Sequence, residues 1–259
     1  MYKDFLETLL KSNQFLVFGF QDIKVKYRRS SIGVFWQTIN MSIYILVLSF
    51  VFGLLLNNEI KNFIPYLSLG LILWGFISTN INESCNLFIE AKENILNLKV
   101  NFSFYILRAI WRNVIILTHN FLIIPIVFYI FGKTLVIANF FYFALGFILL
   151  ILNLTWMMML CAIICTRFRD FSQIILNLVQ ITFYLTPILW TQDNFKSTFI
   201  ENVLILNPFY HIFEITRSVL IGKMPNSISW IASIVFLILG SIIASYFFKV
   251  YKNKIVYWL

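Results

Sequence analysis

Six long apolar segments alternate with short polar segments along the 259 residues of the chain. Each is free of Asp, Glu, Lys and Arg, and together they cover residues 30–58, 62–82, 113–132, 134–166, 171–192 and 224–248. A helix of about 20 apolar residues crosses the roughly 30 Å hydrocarbon core of a bilayer. The pattern therefore predicts six transmembrane helices.

An amphipathic helix is predicted before the first span. Its apolar positions recur with helical spacing and comprise Tyr2, Phe5, Leu6 and Leu9. The opposite side carries the charged residues Asp4, Glu7 and Lys11. This arrangement fits a helix that lies along the membrane surface, and it fits equally a helix packed on a partner or on the bundle. The sequence leaves both interpretations open.

The segment between the second and third spans is too long for a simple turn. Helical spacing places four polar residues on one face: Glu90, Glu93, Asn94 and Asn97. A short helix that protrudes from the membrane here would form a docking surface for a soluble partner. A solvated loop helix without a partner would show the same periodicity.

The segment after the fifth span, residues 188–224, is mostly apolar but is interrupted by Asn207 and Pro208. No charge-free piece of it is long enough to cross a bilayer. We expect two short re-entrant helices that dip in from the outer face and line or plug a pathway. Two helices resting on the outer leaflet are the alternative. The re-entrant interpretation is favoured because Glu214 and Arg217 lie one turn apart, where they can pair.

Composition assigns the whole chain to the membrane proteins. Residues are 60% hydrophobic and 12% charged, with a mean hydropathy of +0.85, against roughly 45–50% and 25% in soluble domains. No repeat or linker divides the chain. We therefore expect one all-α domain over residues 1–259, with a cytoplasmic interface segment (1–30), a six-span bundle (31–250) and a cytoplasmic tail (251–259).

The distribution of charge predicts the orientation. Although the net charge is +9, 15 of the 20 lysines and arginines fall on alternate segments, which matches the excess of cations on the cytoplasmic side of membrane proteins. Both termini are predicted to be cytoplasmic. Four cations form a cluster before the first span: Lys24, Lys26, Arg28 and Arg29. This basic cluster is therefore not interpreted as a nucleic-acid site. The span itself is too long for a cleavable signal and no cleavage pattern follows it.

The sequence motifs indicate no catalytic, metal-binding or nucleotide-binding site in the chain. The run Gly132-Lys133-Thr134 ends like a phosphate-binding loop, but the pattern needs glycine where Val127 stands. His119 and His211 have no companion residues of a metal or catalytic constellation. The three cysteines give no disulfide framework and fit packing positions. We expect no catalytic residue, metal or cofactor in this chain.

Aromatic residues are abundant, with 29 Phe, 12 Tyr and 7 Trp. Their flat faces can pack on the C–H groups of sugars, although most Trp and Tyr in such proteins form belts at the membrane interfaces. Exceptions that would line a channel are Trp36, Tyr44, Trp74, Tyr184, Trp190 and Tyr210.

Four blocks of sequence together resemble the membrane subunit of ABC-type polysaccharide exporters. They are DIKVKYRRSSIGVFWQTIN (22–40), TRFRDFSQIILNLVQITFYLTPILW (166–190), LNPFYHIFEITRSVLIGKMP (206–225) and KIVYWL (254–259). The last is similar to O-antigen exporters in particular. Many relatives have Asn-Pro at the start of the first span, where this chain has Asn40 and Met41, so the local kink expected there is in question. The four blocks, in this order and spacing, together with the six-span layout, extend over nearly the whole chain.

The resemblance implies a homodimer in the bacterial inner membrane that works with a separate ATPase, which would bind ATP and Mg²⁺. The substrate would be a polysaccharide on a polyprenyl diphosphate lipid, O-antigen in particular. It implies a cytoplasmic entrance formed by Tyr27, Arg28, Arg29 and Ser30. Contacts for the ATPase would involve Glu90, Lys92, Glu93, Arg167 and Asp170, with a local Arg167–Asp170 ion pair as the simpler alternative. Asn207 and Pro208 would form the outer gate.

Three alternatives remain beside this expectation. An exporter of teichoic acid, capsule, a drug or a small lipid would share the same layout. A large outer domain would favour a drug or small-lipid exporter, but the outer loops in this sequence are short. A polytopic enzyme of glycan or lipid assembly would need catalytic groups such as His119 or His211. A structural assembly protein would act without ATP.

Overall fold

The computed structural model describes residues 1–55, 59–97, 100–133, 140–191 and 203–259. Every bounded secondary-structure element in these ranges is an α-helix, which confirms the predicted all-α class. In chain order the helices are α1 (Tyr2–Leu10), α2 (Ser12–Lys26), α3 (Phe35–Leu55), α4 (Ile60–Ser84), α5 (Leu87–Glu90), α6 (Lys92–Asn97), α7 (Phe102–Phe121), α8 (Ile123–Ile130), α9 (Phe140–Arg167), α10 (Phe171–Leu185), α11 (Pro208–Leu220) and α12 (Ser227–Trp258).

Within the described ranges, five helical segments are long and apolar enough to cross a membrane. They are α3, α4, the nearly continuous pair α7 and α8, α9, and α12. The predicted fifth span corresponds to α10, which has 15 residues and a length of about 22 Å, less than the hydrocarbon core. Five of the six predicted spans are therefore confirmed as membrane-length helices, and the remaining one, the predicted fifth span, stays a prediction.

The core of the bundle forms around α4 and α9. Helix α4 contacts α3, α7, α8, α9, α10 and α11, and α9 contacts α7, α11 and α12. Fully buried residues such as Leu67, Leu73 and Leu150 join the two central helices in one apolar cluster. A second apolar cluster, which includes Phe88, Ile106 and Phe248, joins α5, α7 and α12.

Two glycines allow helices to approach α9, and through it the core, at close range. A Cβ atom on Gly240 of α12 would lie 2.2 Å from the indole of Trp156 on α9. A Cβ atom on Gly146 of α9 would lie 2.7 Å from the carbonyl oxygen of Ile215 on α11. Neither position can hold a larger residue without a shift of a ring or of the backbone.

Helix α1 packs one side on the bundle and leaves Lys3, Glu7 and several apolar residues exposed. Asp4 and Thr8 are buried, whereas Leu6 and Leu9 are exposed. The Asp4 carboxylate binds the Lys252 ammonium at 2.7 Å, which ties α1 to α12. Helix α1 also contacts α7, so it packs on the bundle, while its exposed apolar face is suited to lipid.

The segment between α4 and α7 forms two short helices where the sequence indicates one. Helix α5 ends at Glu90 and α6 begins at Lys92, because the backbone turns at Ala91. The end of the expected segment, residues 98–99, lies outside the described residues. The first of the two expected re-entrant helices likewise falls mainly on residues 192–202, outside those residues, and the second corresponds to α11.

Candidate functional site

The end of α10 is held by donors from two other helices. After Leu185 the chain turns through Thr186 and Pro187, which leaves carbonyl groups without helical partners. The Tyr66 hydroxyl of α4 lies 2.7 Å from the Pro187 carbonyl oxygen and 3.1 Å from that of Trp190. Arg217 of α11 also donates to the Pro187 carbonyl. These bonds satisfy backbone acceptors that cannot reach water in an apolar layer.

Arg217 is almost completely buried, and partners surround its guanidinium except at the Nε–H group, which has no hydrogen-bond partner among the described residues. Its guanidinium donates to the Glu214 carboxylate at 3.0 Å, which confirms the pairing expected from their spacing. The guanidinium carbon lies 4.1 Å from the centroid of the Tyr66 ring and 4.6 Å from that of Phe213. A buried cation is tolerated only with such partners. Arg217 therefore fixes α11 against α4 and the end of α10.

The predicted outer gate residues lie at the same junction. Asn207 caps α11, because its Oδ1 accepts a hydrogen bond from the Phe209 amide at 3.0 Å, and Pro208 occupies the first position of the helix. The Asn207 amide group donates to the Thr186 hydroxyl at 3.2 Å. The Trp190 indole donates to the Tyr184 carbonyl at 3.2 Å. The structure thus brings Asn207, Pro208 and Trp190 to the end of α10.

Trp74 and Tyr210 occupy different environments from the other predicted aromatic residues. Trp74 is 6% exposed and packs in the core against Phe183 and Phe209, at ring distances of 5.9 and 6.1 Å. Tyr210 is half-buried and lies 5.2 Å from the ring of His211. The structure does not place Trp74 on an exposed face of this chain, so its role in a channel stays a prediction.

A stripe of polar side chains, Gln173, Asn177, Gln180 and Tyr184, runs along the exposed face of α10. The steps of four, three and four residues place them on one side of the helix. Gln173 and Asn177 are joined by a hydrogen bond of 3.4 Å. Only Tyr184 was among the sequence-predicted residues. The helical spacing of the amides within an apolar segment is the signal that identifies the others.

Helix α3 carries a second exposed face with polar and aromatic residues. Trp36 and Tyr44 are each about half exposed, and Asn40 between them is also exposed. The Tyr44 hydroxyl lies close enough to that of Tyr184 for the two groups to interact electrostatically. The structure therefore brings two predicted channel residues together across α3 and α10.

The predicted cytoplasmic entrance forms the turn between α2 and α3. Tyr27 ends α2, and its buried hydroxyl has no hydrogen-bond partner. Arg28 and Arg29 are exposed and form no ion pair with any residue that the structure describes. The Ser30 hydroxyl accepts a hydrogen bond from the Gly33 amide at 3.0 Å, and Gly33 supplies the positive φ of 65° that the turn requires. The two cations are thus free for an anionic ligand.

The residues expected to contact an ATPase lie on two exposed segments. Glu90, Lys92 and Glu93 are exposed on α5 and α6. Arg167 and Asp170 are exposed in the loop between α9 and α10, and no ion pair joins them. The expected local pair is therefore wrong.

The Arg167 guanidinium instead lies 5.1 Å from the Trp258 ring centroid. The Trp258 ring is electron-rich and lies close to the cation, whereas Asp170 lies across an exposed turn where ion pairs contribute little.

An ionic network that the sequence did not reveal joins α2, α4 and α7. Asp22 accepts two hydrogen bonds from Arg108, one of them at 2.7 Å from Nε. Arg112 donates to Glu83 at 2.6 Å, and Asn113 donates to the same carboxylate at 2.8 Å. Arg108 and Arg112 are four residues apart on one face of α7, which is the local signal. Their partners are too distant in sequence to be inferred.

The histidines are engaged in packing contacts. His119 Nδ1 lies 2.8 Å from the Ile115 carbonyl oxygen, within its own helix. His211 bridges the Ser229 hydroxyl at 3.1 Å and the Ile205 carbonyl at 2.8 Å. Among the described residues no group of three or more His, Cys, Asp or Glu side chains could hold a metal ion. These contacts support the structural interpretation of both histidines.

Comparison with known proteins identifies the family. Residues 13–221 match the family model of the ABC-2 type transporter. The chain is 23% identical over 194 residues to an O-antigen export system permease protein RfbA of Myxococcus xanthus, covering 73% of this chain and 72% of that protein. It is 21% identical over 224 residues and 23% identical over 239 residues to two proteins of the same name from Klebsiella pneumoniae, each covering 85% of this chain and 86% of the relative. The chain belongs to the ABC-2 type transporter family and is a multi-pass membrane permease.

Proposed function

We propose that the chain is the channel-forming subunit of an ATP-driven exporter that moves a polyprenyl-diphosphate-linked polysaccharide, O-antigen in particular, across the bacterial inner membrane. The family and the names of its relatives supply the general class. The exposed polar stripe of α10 carries the proposal, because it is a polar path within a membrane layer.

The stripe would be costly if it faced lipid. An amide without a hydrogen-bond partner in hydrocarbon costs several kcal/mol by transfer estimates of about 4–8 kcal/mol. Asn177 and Gln180 lie near the middle of α10, so neither end of the helix brings them to water. The face that they form therefore meets water or another protein surface rather than acyl chains.

A second copy of the chain would complete that surface. The exposed faces of α3 and α10 carry Tyr44, Tyr184 and the amides, and Tyr44 and Tyr184 are near enough to interact electrostatically. Amides can hydrogen-bond sugar hydroxyls, and aromatic rings can pack on sugar C–H groups. Two copies that enclose these faces would form a channel suited to a hydrated glycan, with the chain acting as a homodimer.

The outer end of this path would be closed by the Arg217 junction. Helix α10 and residues 186–191 together would form the fifth predicted membrane segment, and Asn207 and Pro208 would form the gate beside it. Tyr66 and Arg217 hold the turn at Pro187 without water. A glycan would pass only if this junction or its counterpart in the second copy moved.

Energy would come from a separate ATPase subunit, which would bind ATP and Mg²⁺. The exposed side chains of α5 and α6 and the loop of Arg167 and Asp170 lie on the predicted cytoplasmic side, together with both termini. Arg28 and Arg29 at the entrance would bind the diphosphate of the lipid carrier, for which unpaired guanidinium groups are well suited.

Co-expression with the ATPase encoded nearest to the gene would test the proposal. We expect the two chains to purify together, with ATP hydrolysis and with surface glycan restored in a strain that lacks the exporter. A Tyr184→Cys variant should form a crosslinked dimer in membranes, whereas Ile238→Cys on the exposed face of α12 should not. A chain that retains no ATPase and never crosslinks would contradict the proposal.

The same assay separates the alternatives. Restored export of teichoic acid or capsule in place of O-antigen would keep the transport mechanism and change the substrate. Loss of product synthesis in His119→Ala or His211→Ala, with the fold intact, would instead indicate a membrane enzyme.

A further inference from the structure

A cavity of about 230 Å³ opens between α2, the α5–α6 segment and the first turns of α7. It is lined by Asp22, Leu87, Glu90, Ala91, Asn94, Tyr105, Arg108, Ala109 and Arg112. The volume is below the roughly 300–1,000 Å³ of pockets for drug-sized ligands, so it suits a smaller group. None of its residues belongs to the α3–α10 face or to the Arg217 junction.

Two buried donors in this lining lack partners. Tyr105 is 2% exposed, and its hydroxyl has no hydrogen bond. The Nε–H group of Arg112 is also buried and unpaired, although the other nitrogens of its guanidinium contact Glu83 and Asp22. Buried polar groups are seldom left unsatisfied, so two such donors indicate a ligand or water that supplies acceptor atoms.

The balance of charge restricts the kind of acceptor. The lining holds two arginines, Arg108 and Arg112, and two acids, Asp22 and Glu90, and Glu83 adds a third acid beside it, paired with Arg112. Asp22 is engaged by both arginines, while Glu90 is exposed and forms no ion pair within the described residues. A simple anion would meet Glu90 as a like charge. A zwitterion with a phosphate and an ammonium group matches both signs.

The cavity lies at the level of the cytoplasmic headgroups. The charge-free part of the α7–α8 span begins at Asn113, directly after Arg112, and Glu83 at the end of α4 pairs with Arg112. Residues 102–112 therefore extend from the hydrocarbon layer toward the cytoplasm. Apolar side chains of Leu87, Ala91 and Ala109 form the rest of the lining.

We propose that this cavity binds a phosphoethanolamine group, as the headgroup of a membrane phospholipid or as the free zwitterion. The phosphate oxygens accept hydrogen bonds from the Tyr105 hydroxyl and Arg112 Nε, and the ammonium group binds Glu90. The bound group lies between α2, α5 and α7, and so joins α2 to the segment expected to face the ATPase. This site is separate from the path of the exported glycan.

Native mass spectrometry of the detergent-purified chain with equal amounts of phosphatidylethanolamine and phosphatidylglycerol of matched acyl chains tests the proposal. We expect preferential retention of phosphatidylethanolamine. Tyr105→Phe should weaken it by about tenfold, the effect of one hydrogen bond to a charged group. Tyr257→Phe, which removes a hydroxyl from an exposed residue outside the cavity lining, should leave retention unchanged.

Glu90→Gln should abolish the preference between the two lipids, because it removes the partner of the ammonium group. Soluble O-phosphoethanolamine distinguishes the two sources. Displacement of the lipid shows that the free zwitterion is sufficient, and a persistent adduct assigns the site to the membrane lipid. Equal retention of both lipids by the unmodified chain, or a Tyr105→Phe variant that behaves like Tyr257→Phe, would overturn the proposal.

Discussion

Arg217 of α11 donates a hydrogen bond to the carbonyl of Pro187, the residue at which the chain turns away from α10. The contact joins two segments that are 30 residues apart. It couples the end of a short membrane helix to a buried cation whose own carboxylate partner, Glu214, lies one turn away. This end of the bundle is consequently one polar unit rather than a set of independent loops.

Replacement of Arg217 by leucine should destabilise the protein strongly. Glu214 would lose its cation and the Pro187 carbonyl would lose a donor, and breaking a buried pair costs about 3–5 kcal/mol. Thermal unfolding in detergent should show a clear drop in melting temperature. Arg169→Leu, at an exposed position, is the control and should have little effect. A normal melting temperature for Arg217→Leu would show that the junction does not contribute to stability.

The Gly240→Ala substitution should loosen the contact between α9 and α12. The added methyl group would lie within 2.2–2.6 Å of the Trp156 ring, and overpacking of this kind costs about 1–3 kcal/mol. Gly53→Ala is a matched control, because its nearest neighbour lies 4.0 Å away. A double-mutant cycle with Trp156→Phe should reveal coupling between the two positions. Additive effects would mean that the clash is relieved elsewhere.

Leucine at both Asn177 and Gln180 should reduce export without loss of folded protein. The change removes the hydrogen-bonding groups of the proposed path while it makes α10 more apolar. Surface glycan and membrane protein level would be measured in the same cells. Ile181→Leu, on the same helix and equally exposed, should leave export intact. Unchanged export in the double variant would exclude the stripe from the path.

Glutamine at Arg28 and Arg29 should reduce export more than it reduces membrane insertion. The anchoring role of these cations is worth about 1 kcal/mol each near an anionic surface, whereas binding of a diphosphate depends on the guanidinium groups themselves. Lys24→Gln with Lys26→Gln removes the same charge from the same segment and is the control. Equal losses of export and insertion would leave only the anchoring role.

Asparagine at Asp22 should release α2 from α7. Arg108 would keep a weaker, neutral acceptor in place of a charged bidentate one. Amide hydrogen exchange in α2 should accelerate, while exchange in α9 stays slow. Asp170→Asn, at an exposed acid outside the network, serves for comparison. If α2 remained protected, apolar contacts such as those of Phe15 and Ile23 would be sufficient to hold it.

The membrane-length helices could be predicted because the bilayer constrains them directly. A charge-free stretch of sufficient length has few alternatives to a spanning helix, so α3, α4, α7 with α8, α9 and α12 follow from the sequence. The length of α10 could not be obtained in this way. The charge-free segment continues to residue 192. The helix nevertheless ends at Leu185, because Pro187 disfavours helical backbone at Thr186, the residue before it.

Contacts between residues close in sequence could be predicted, whereas contacts between distant residues could not. The Glu214–Arg217 pair was predictable from three-residue spacing on one helix. The bonds between Asp22 and Arg108, 86 residues apart, depend on how α2 packs against α7, which no local pattern determines. Aromatic composition likewise does not specify a face: Tyr44 and Tyr184 lie exposed and close together, whereas Trp74 packs in the core.

We expect the outward apolar face of α1 to fix the height of the bundle in the bilayer. Because Asp4 is bound to Lys252 near the end of α12, a displacement of the protein along the membrane normal would drag Leu6 and Leu9 into water or Asp4 into hydrocarbon. We therefore expect α1 to hold the bundle at a constant depth in the membrane through its ion pair with α12. We expect a thicker or thinner bilayer to strain the link between Asp4 of α1 and Lys252 of α12.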